Sequence, residues 1–282
     1  MEKGIVNAVL ETSNNILLEV YGDLLKPGVS QVGQAIGTLI GLGNTLLMPL
    51  ALKNEKSKIN IQNNLNIYRQ KLETISEENI QSVVPEIGVP ILEKLMYVSD
   101  ETLVDLYTEL LAKASDKEQC KSTHPSFVNI INNLSPKESK LLDVIDKNVK
   151  AVVDVNVVVG ESRKPCEQIS EFVLDDEYYD KNLNAYLSNL VGLGLIEINL
   201  TRHLQDSQRY ELLETKIKDV YKKGPIQSDK YSVLFHMRNG DLEFTRGCIN
   251  TTSFGELFLI ACTKKSGKFE IYDAWYRYSE HT

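Results

Sequence analysis

The sequence predicts a mainly helical protein in two parts. An N-terminal helical domain over 1–134 holds a glycine-rich apolar helix or hairpin, and an α+β domain with a winged-helix-like element order follows over 135–282. Three observations carry this. Residues 27–52, PGVSQVGQAIGTLIGLGNTLLMPLAL, hold no charged side chain in a chain that is 25% charged. From 55 to 134 apolar residues recur at helical spacing. Beyond Ser135, valine-rich runs and the turn pairs Asn239-Gly240 and Gly224-Pro225 mark short strands among helices.

At 282 residues and 31.8 kDa the chain is long enough for two cores. Its net charge of −8 divides as −5 over 1–134 and −3 over 135–282, so neither half is composed to bind a polyanion. Cys120, Cys166, Cys248 and Cys262 form no CxxC pair and read as reduced thiols in a cytoplasmic setting. Cys120 and His124 stand four apart in a polar loop with no second ligand pair, so no metal is expected. No phosphate-cradling glycine loop, HExxH or serine nucleophile elbow is present. Asp175, Asp176 and Glu177 are adjacent along the chain rather than convergent. The sequence therefore predicts no catalytic residue and no cofactor.

Taken in order, residues 3–25 form an amphipathic helix, ended by Pro27 and Gly28. In the uncharged stretch Gly33, Gly37 and Gly41 recur every fourth residue, a stripe that lets another helix approach closely. Two readings compete for it. Residues 29–50 could insert in a membrane, being just long enough to cross a hydrocarbon core of ~30 Å. Alternatively they are a buried core helix or hairpin broken near Gly41 to Asn44 and at Pro49. Gln31, Gln34, Thr38, Asn44 and Thr45 weigh against a constitutive span, and the stretch lies too far along the chain for a signal peptide.

Between Glu55 and Ser76, Ile61, Leu65, Tyr68, Leu72 and Ile75 form a narrow heptad seam on an otherwise polar helix, suited to a bundle or to an oligomer contact. Pro85, Gly88 and Pro90 predict extended or kinked backbone over Val83 to Tyr97. Ser99 is the expected cap of the next helix, whose Leu103, Leu106, Tyr107, Leu110, Leu111 and Ala114 make the clearest amphipathic pattern in the chain. His124 to Leu134 is a further short helix. Ser135-Pro-Lys-Glu138 then reads as a capping box with proline at the first helical position, and the domain boundary is placed there.

In the second part Ala151 to Val159 reads as a strand, and a loop around Gly160 to Pro165 leads into a short helix. Tyr178 to Val191 is helical, stopped by Gly192 and Gly194, and LIEINL runs out as a strand. A polar hairpin region and a mixed segment reach Tyr221. Strands around Tyr231 to Met237 and Leu242 to Ile249 pair as a hairpin through Asn239-Gly240. Thr252 and Ser253 cap a last helix, with Glu256 completing a capping box from Ser253.

This content of helices, strand, hairpin and closing helix is that of a winged-helix domain. Its third helix would lie in Lys181 to Ile198, where Lys181 and Glu197 are the charged residues, too few for phosphate contacts. A protein-contact or structural role is therefore expected rather than DNA binding. The tail concentrates Tyr272, Trp275, Tyr276 and Tyr278, which cover a core as a final strand or short helix, or form an aromatic partner surface or a membrane-interface anchor.

The glycine-rich VGQAIGTLIGLGNTLLMPL, the run VVPEIGVPILEKLMYVSDETLVDLYTELLAKASD, the junction HPSFVNIINNLSPKESKLL and the closing SFGELFLIAC resemble the bacterial Abi-alpha, or abortive-infection alpha, family over about 30–265. The junction of HPSFV with LSPKE is the most specific part. Thr252-Ser253 replaces the small residue and proline expected before the closing Phe-Gly. The resemblance implies a part in stopping phage-infected cells, and implies no catalytic residue. Joined to the physics, it predicts a non-enzymatic anti-phage protein that inserts residues 29–52 conditionally at the inner membrane under control of the C-terminal domain. The alternative is a soluble winged-helix interaction or regulatory protein. The alternative acts through a protein or DNA partner; a protein or phage component is the partner expected overall, and close packing of the glycine stripe would let copies associate once inserted.

Overall fold

The computed structural model describes residues 31–42, 54–158, 171–174, 182–223 and 241–265. They divide into two compact units. One contains the residues up to Leu134 together with those from Leu257, and the other is Ser135–Glu256.

The first unit is helical: α1 (Gln31–Leu42), α2 (Glu55–Leu72), α3 (Pro85–Leu95), α4 (Glu101–Ala114) and α5 (Ser126–Asn132). The thin seam of α2 is its buried edge, with Ile61, Leu65, Tyr68 and Leu72 all inaccessible to solvent. Tyr68 Oη donates to Ser115 Oγ at 2.6 Å, because the Ser115 hydroxyl proton is already given to the Leu111 carbonyl at 2.8 Å. Burial pushes the Tyr68 phenol well above its usual range, so it stays a neutral donor. Asn64, also buried, donates to the carbonyls of Leu95 and Val98 at 2.8 and 3.1 Å. The polar residue beside the seam thus satisfies the free carbonyl end of α3. Phe127 of α5 meets Phe258 edge to face at 5.5 Å.

Two expectations for this unit are corrected. Pro85 to Leu95 is a helix, not extended backbone. Pro85 occupies the first helical position, where no N–H is needed, and Pro90 removes one bond while Ile87, Ile91, Leu92 and Leu95 are buried around it. The cap of α4 is Asp100 rather than Ser99, its Oδ1 accepting from the Thr102 and Leu103 amides. The described glycine-rich helix, α1, has 12 residues, and no helix among the described residues is long and apolar enough to cross a membrane.

The second unit runs α6 (Pro136–Lys147), β1 (Lys150–Val158), β2 (Glu171–Leu174), α7 (Leu183–Gly192), β3 (Ile196–Asn199), α8 (Ser207–Lys223) and β4 (Asp241–Thr251). It ends in the first residues of α9 (Ser253–Cys262). The capping box at the start of α6 is formed as the sequence predicts, and Glu138 Oε1 also accepts from Asn189 Nδ2 at 2.8 Å, tying α6 to α7. The strands make one antiparallel sheet in the order β2-β1-β4-β3, with Val153 opposite both Val173 and Arg246. Ala151, Val153 and Val155 pack one sheet face against Tyr210, Leu213 and Ile217 of α8.

Here too the structure departs from expectation. The segment expected as a polar hairpin and mixed stretch holds α8, whose Tyr210, Leu213 and Ile217 repeat at helical spacing within a polar run. Glu171–Leu174 is a strand where a short helix was expected. Strand β4 finds its described partners in β1 and β3. Its expected hairpin mate, 231–237, lies outside the described residues, as do helix 3–25, residues 43–52 and Asp175 to Glu177. Thr252, not Ser253, caps α9: its Oγ1 accepts from the Gly255 amide at 2.9 Å and donates to the Gly194 carbonyl at 2.6 Å. Gly194 itself has φ +74° and closes α7, with the Leu195 amide reaching back to the Leu190 carbonyl at 3.0 Å.

Candidate functional site

The first unit contains a cleft of about 520 Å³ between the second half of α2 and α4, bordered by Lys264 and Lys265 just past α9. Apolar wall comes from Ile67, Ile75 and Ala112, and Gln70, Thr74 and Gln119 add amide and hydroxyl groups. The rest of the lining is charged, and the charges are ordered. Lys71 Nζ lies 2.6 Å from Asp105 Oδ1 and 2.6 Å from Glu109 Oε2. Glu109 Oε1 faces Lys113 Nζ at 3.8 Å. Lys113, with only 8% of its side chain exposed, donates to the carbonyls of Ile260, of Thr263 at 2.6 Å and of Lys265 at 3.3 Å. A buried ammonium thus sits on the carbonyl end of α9, where the helix dipole favours a cation.

Burial pulls the Lys113 ammonium down from the ordinary lysine range, and Glu109 opposes that pull. Burial also pushes the neighbouring Cys262 thiol well above its usual range, so at neutral pH it is a thiol rather than a nucleophilic thiolate. What the cleft can do chemically is bind. Its lysines outnumber its carboxylates four to two, and Lys264 and Lys265 are exposed at its border.

In the second unit the outward side of α7 carries Ala185, Ser188, Val191 and Gly192, all exposed and none charged. This helix lies within Lys181 to Ile198, the stretch expected to hold the third helix of a winged-helix domain.

Gly33, Gly37 and Gly41, the sequence-predicted site residues that are described, do not line the cleft. In α1 the buried residues are Ala35, Ile36, Leu39 and Ile40, whereas Gly33 and Gly37 are half-buried and Gly41 is exposed. A Cβ added at Gly41 would meet nothing within 4 Å. Tyr272, Trp275, Tyr276 and Tyr278 lie outside the described residues. His124 Nδ1 accepts from the Ser126 amide at 3.1 Å, starting α5. Among the described residues no group of three or more His, Cys, Asp and Glu is placed to hold a metal ion.

Lys71, Glu109 and Lys113 were not anticipated. Glu109 and Lys113 stand four apart on an amphipathic helix, which by itself reads as a solvated surface pair. Only their distance from the periodic apolar positions of α4, which is short, hinted at burial.

Comparison with known proteins adds one match, the profile of the abortive infection alpha family over residues 58–262. The chain belongs to the abortive infection alpha family. The region shared with the abortive infection alpha profile begins in α2 and stops at the last residue of α9. It includes Lys71, Asp105, Glu109, Lys113 and the whole second unit, and it is narrower than the 30–265 expected from resemblance. The glycine stripe, the aromatic tail, Lys264 and Lys265 fall outside it. No curated protein and no solved structure matches the chain.

Proposed function

We propose that this abortive infection alpha protein is a non-catalytic anti-phage effector that acts by holding a protein or phage component through its sheet-bearing unit. The observation that carries this reading is the extent of the family match. The residues shared with the family hold the helical bundle from α2 on and the sheet unit, and leave out 29–52. A shared function then resides in the shared part.

Topology supports a winged-helix reading of the second unit. Helix α6 is followed by β1, β2 and then α7, with β4 lying between β1 and β3 in the sheet. Helix α8 is inserted between β3 and β4, where a winged helix carries its wing loop, and it covers the face bearing Val153 and Val155. The uncharged outward side of α7 favours protein over DNA, since phosphate contacts need cations.

The test is phage challenge of cells making the wild-type chain, Gly37→Leu, or Ser188→Glu with Val191→Glu, each purified and checked for native circular dichroism. Protection is expected to survive Gly37→Leu and to be lost in the α7 double variant. The reverse pattern would move the effector role to residues 29–52.

A further inference from the structure

We propose that the charged cleft of the helical unit is a binding site for a small anionic molecule, one that carries a phosphate or pyrophosphate group on an apolar or planar body. The site is separate from the outward side of α7 and stands whether or not that face binds a partner.

The first argument is charge. Residues 1–134 and 257–282, which make up this unit, carry 15 basic and 19 acidic side chains, a net −4, yet the cleft is lined by Lys71, Lys113, Lys264 and Lys265 against Asp105 and Glu109. This local reversal of sign focuses an anion toward the opening.

The second argument is how the ammonium groups are occupied. Lys71 is committed to two carboxylates at 2.6 Å each. Lys113 is not: its close acceptors are neutral peptide carbonyls, with Glu109 farther away at 3.8 Å. A phosphate oxygen accepts a charge-assisted bond roughly twice as strong as a neutral one, so an anion reaching the floor competes well for the Lys113 protons. Lys264 and Lys265 lie on the segment whose carbonyls Lys113 holds, and would close on the same anion from the border. Asp105, the more exposed carboxylate, is offset by Lys71.

The third argument is shape. About 520 Å³ falls within the range of small-molecule pockets, and Ile67, Ile75 and Ala112 offer an apolar wall beside the charged end.

Binding is tested on the full chain by calorimetry in EDTA, with ATP, inorganic pyrophosphate and adenosine as probes. Saturable ATP binding is expected, with adenosine silent. Pyrophosphate binding as tightly as ATP would assign the site to the anionic group alone, and weaker pyrophosphate binding would assign part of the affinity to the apolar wall. Lys264 and Lys265 are exposed, so K264Q/K265Q should keep native circular dichroism and weaken binding by about tenfold or more. K113Q should do the same, and hydrogen exchange at Thr263 to Lys265 should slow on ATP binding in the wild type only. The proposal is overturned if neither ATP nor pyrophosphate binds saturably, if adenosine binds as well as ATP, or if K264Q/K265Q binds like the wild type.

Discussion

Lys71 Nζ and Glu109 Oε2 are 2.6 Å apart, joining α2 to α4 across 38 positions of sequence with 14% and 12% of their side chains exposed. Glu109 is the shared member of the cluster, since its other oxygen faces Lys113.

Removing one partner of such a pair leaves the other charged and poorly solvated. Glu109→Gln should therefore destabilise the chain by about 3 kcal/mol, and Lys71→Met by somewhat less because Asp105 and Glu109 keep some access to water. Replacing both, Lys71→Met with Glu109→Leu, should recover part of the loss. Urea unfolding of the three variants checks this, and a double variant worse than the sum of the singles would count against it.

Two glycines should respond oppositely to alanine. A Cβ at Gly255 would stand 2.0 Å from the Leu195 carbonyl oxygen, a backbone atom that cannot rotate away, so Gly255→Ala should cost about 2 kcal/mol or more. Gly41 is exposed near the end of α1 with open space around it, so Gly41→Ala should stabilise by roughly 0.5 kcal/mol. Thermal unfolding midpoints of the two variants, measured side by side, decide it.

The cap of α9 separates two neighbouring hydroxyls. Thr252 both accepts from the Gly255 amide and donates to the Gly194 carbonyl, so Thr252→Ala should cost about 1–2 kcal/mol. Ser253 is an exposed first helical residue, and Ser253→Ala should change stability by less than about 0.5 kcal/mol. Equal losses at both positions would restore the capping box expected from the sequence.

Alkaline conditions should loosen the first unit. Burial pushes the Tyr107 phenol up to about 12, and its hydroxyl donates to Asn132 Oδ1 at 2.6 Å. Below pH ~10 the phenol is neutral in both folded and unfolded chains, and its burial contributes in full. Between ~10 and about 12 only the unfolded chain ionises there, so stability falls as pH rises, by up to about 2–3 kcal/mol from this group. Urea midpoints taken from pH 9 to 11.5 should drop less steeply in Tyr107→Phe than in wild type. Tyr68 shifts in the same direction, so the variant keeps some alkaline loss.

What could be read from the sequence was what depends on near neighbours. Ser135 and Glu138 reach each other within one turn, so SPKE announces its own capping box. The seam of α2 and the apolar repeat of α4 likewise need only helical spacing. Helix α8 carried the same signal in Tyr210, Leu213 and Ile217, hidden in a polar composition. Helix α3 was misread for the opposite reason, because Pro85, Gly88 and Pro90 argue locally against a helix while Ile87, Ile91 and Leu95 gain more from burial than the lost bond costs.

By itself, then, the sequence determined the helical first part, the start of α6, the strand character of β1, β3 and β4, and the family resemblance. Tertiary structure alone decided the strand order, the α8 insertion, the second oxygen of Glu138 finding Asn189, and the Lys71–Glu109–Lys113 cluster. The physical reason is range. Caps and periodicities are settled within about four residues. Whether a lysine is a solvated surface charge or a buried clasp on another helix depends on which distant carbonyls and carboxylates the fold brings to it.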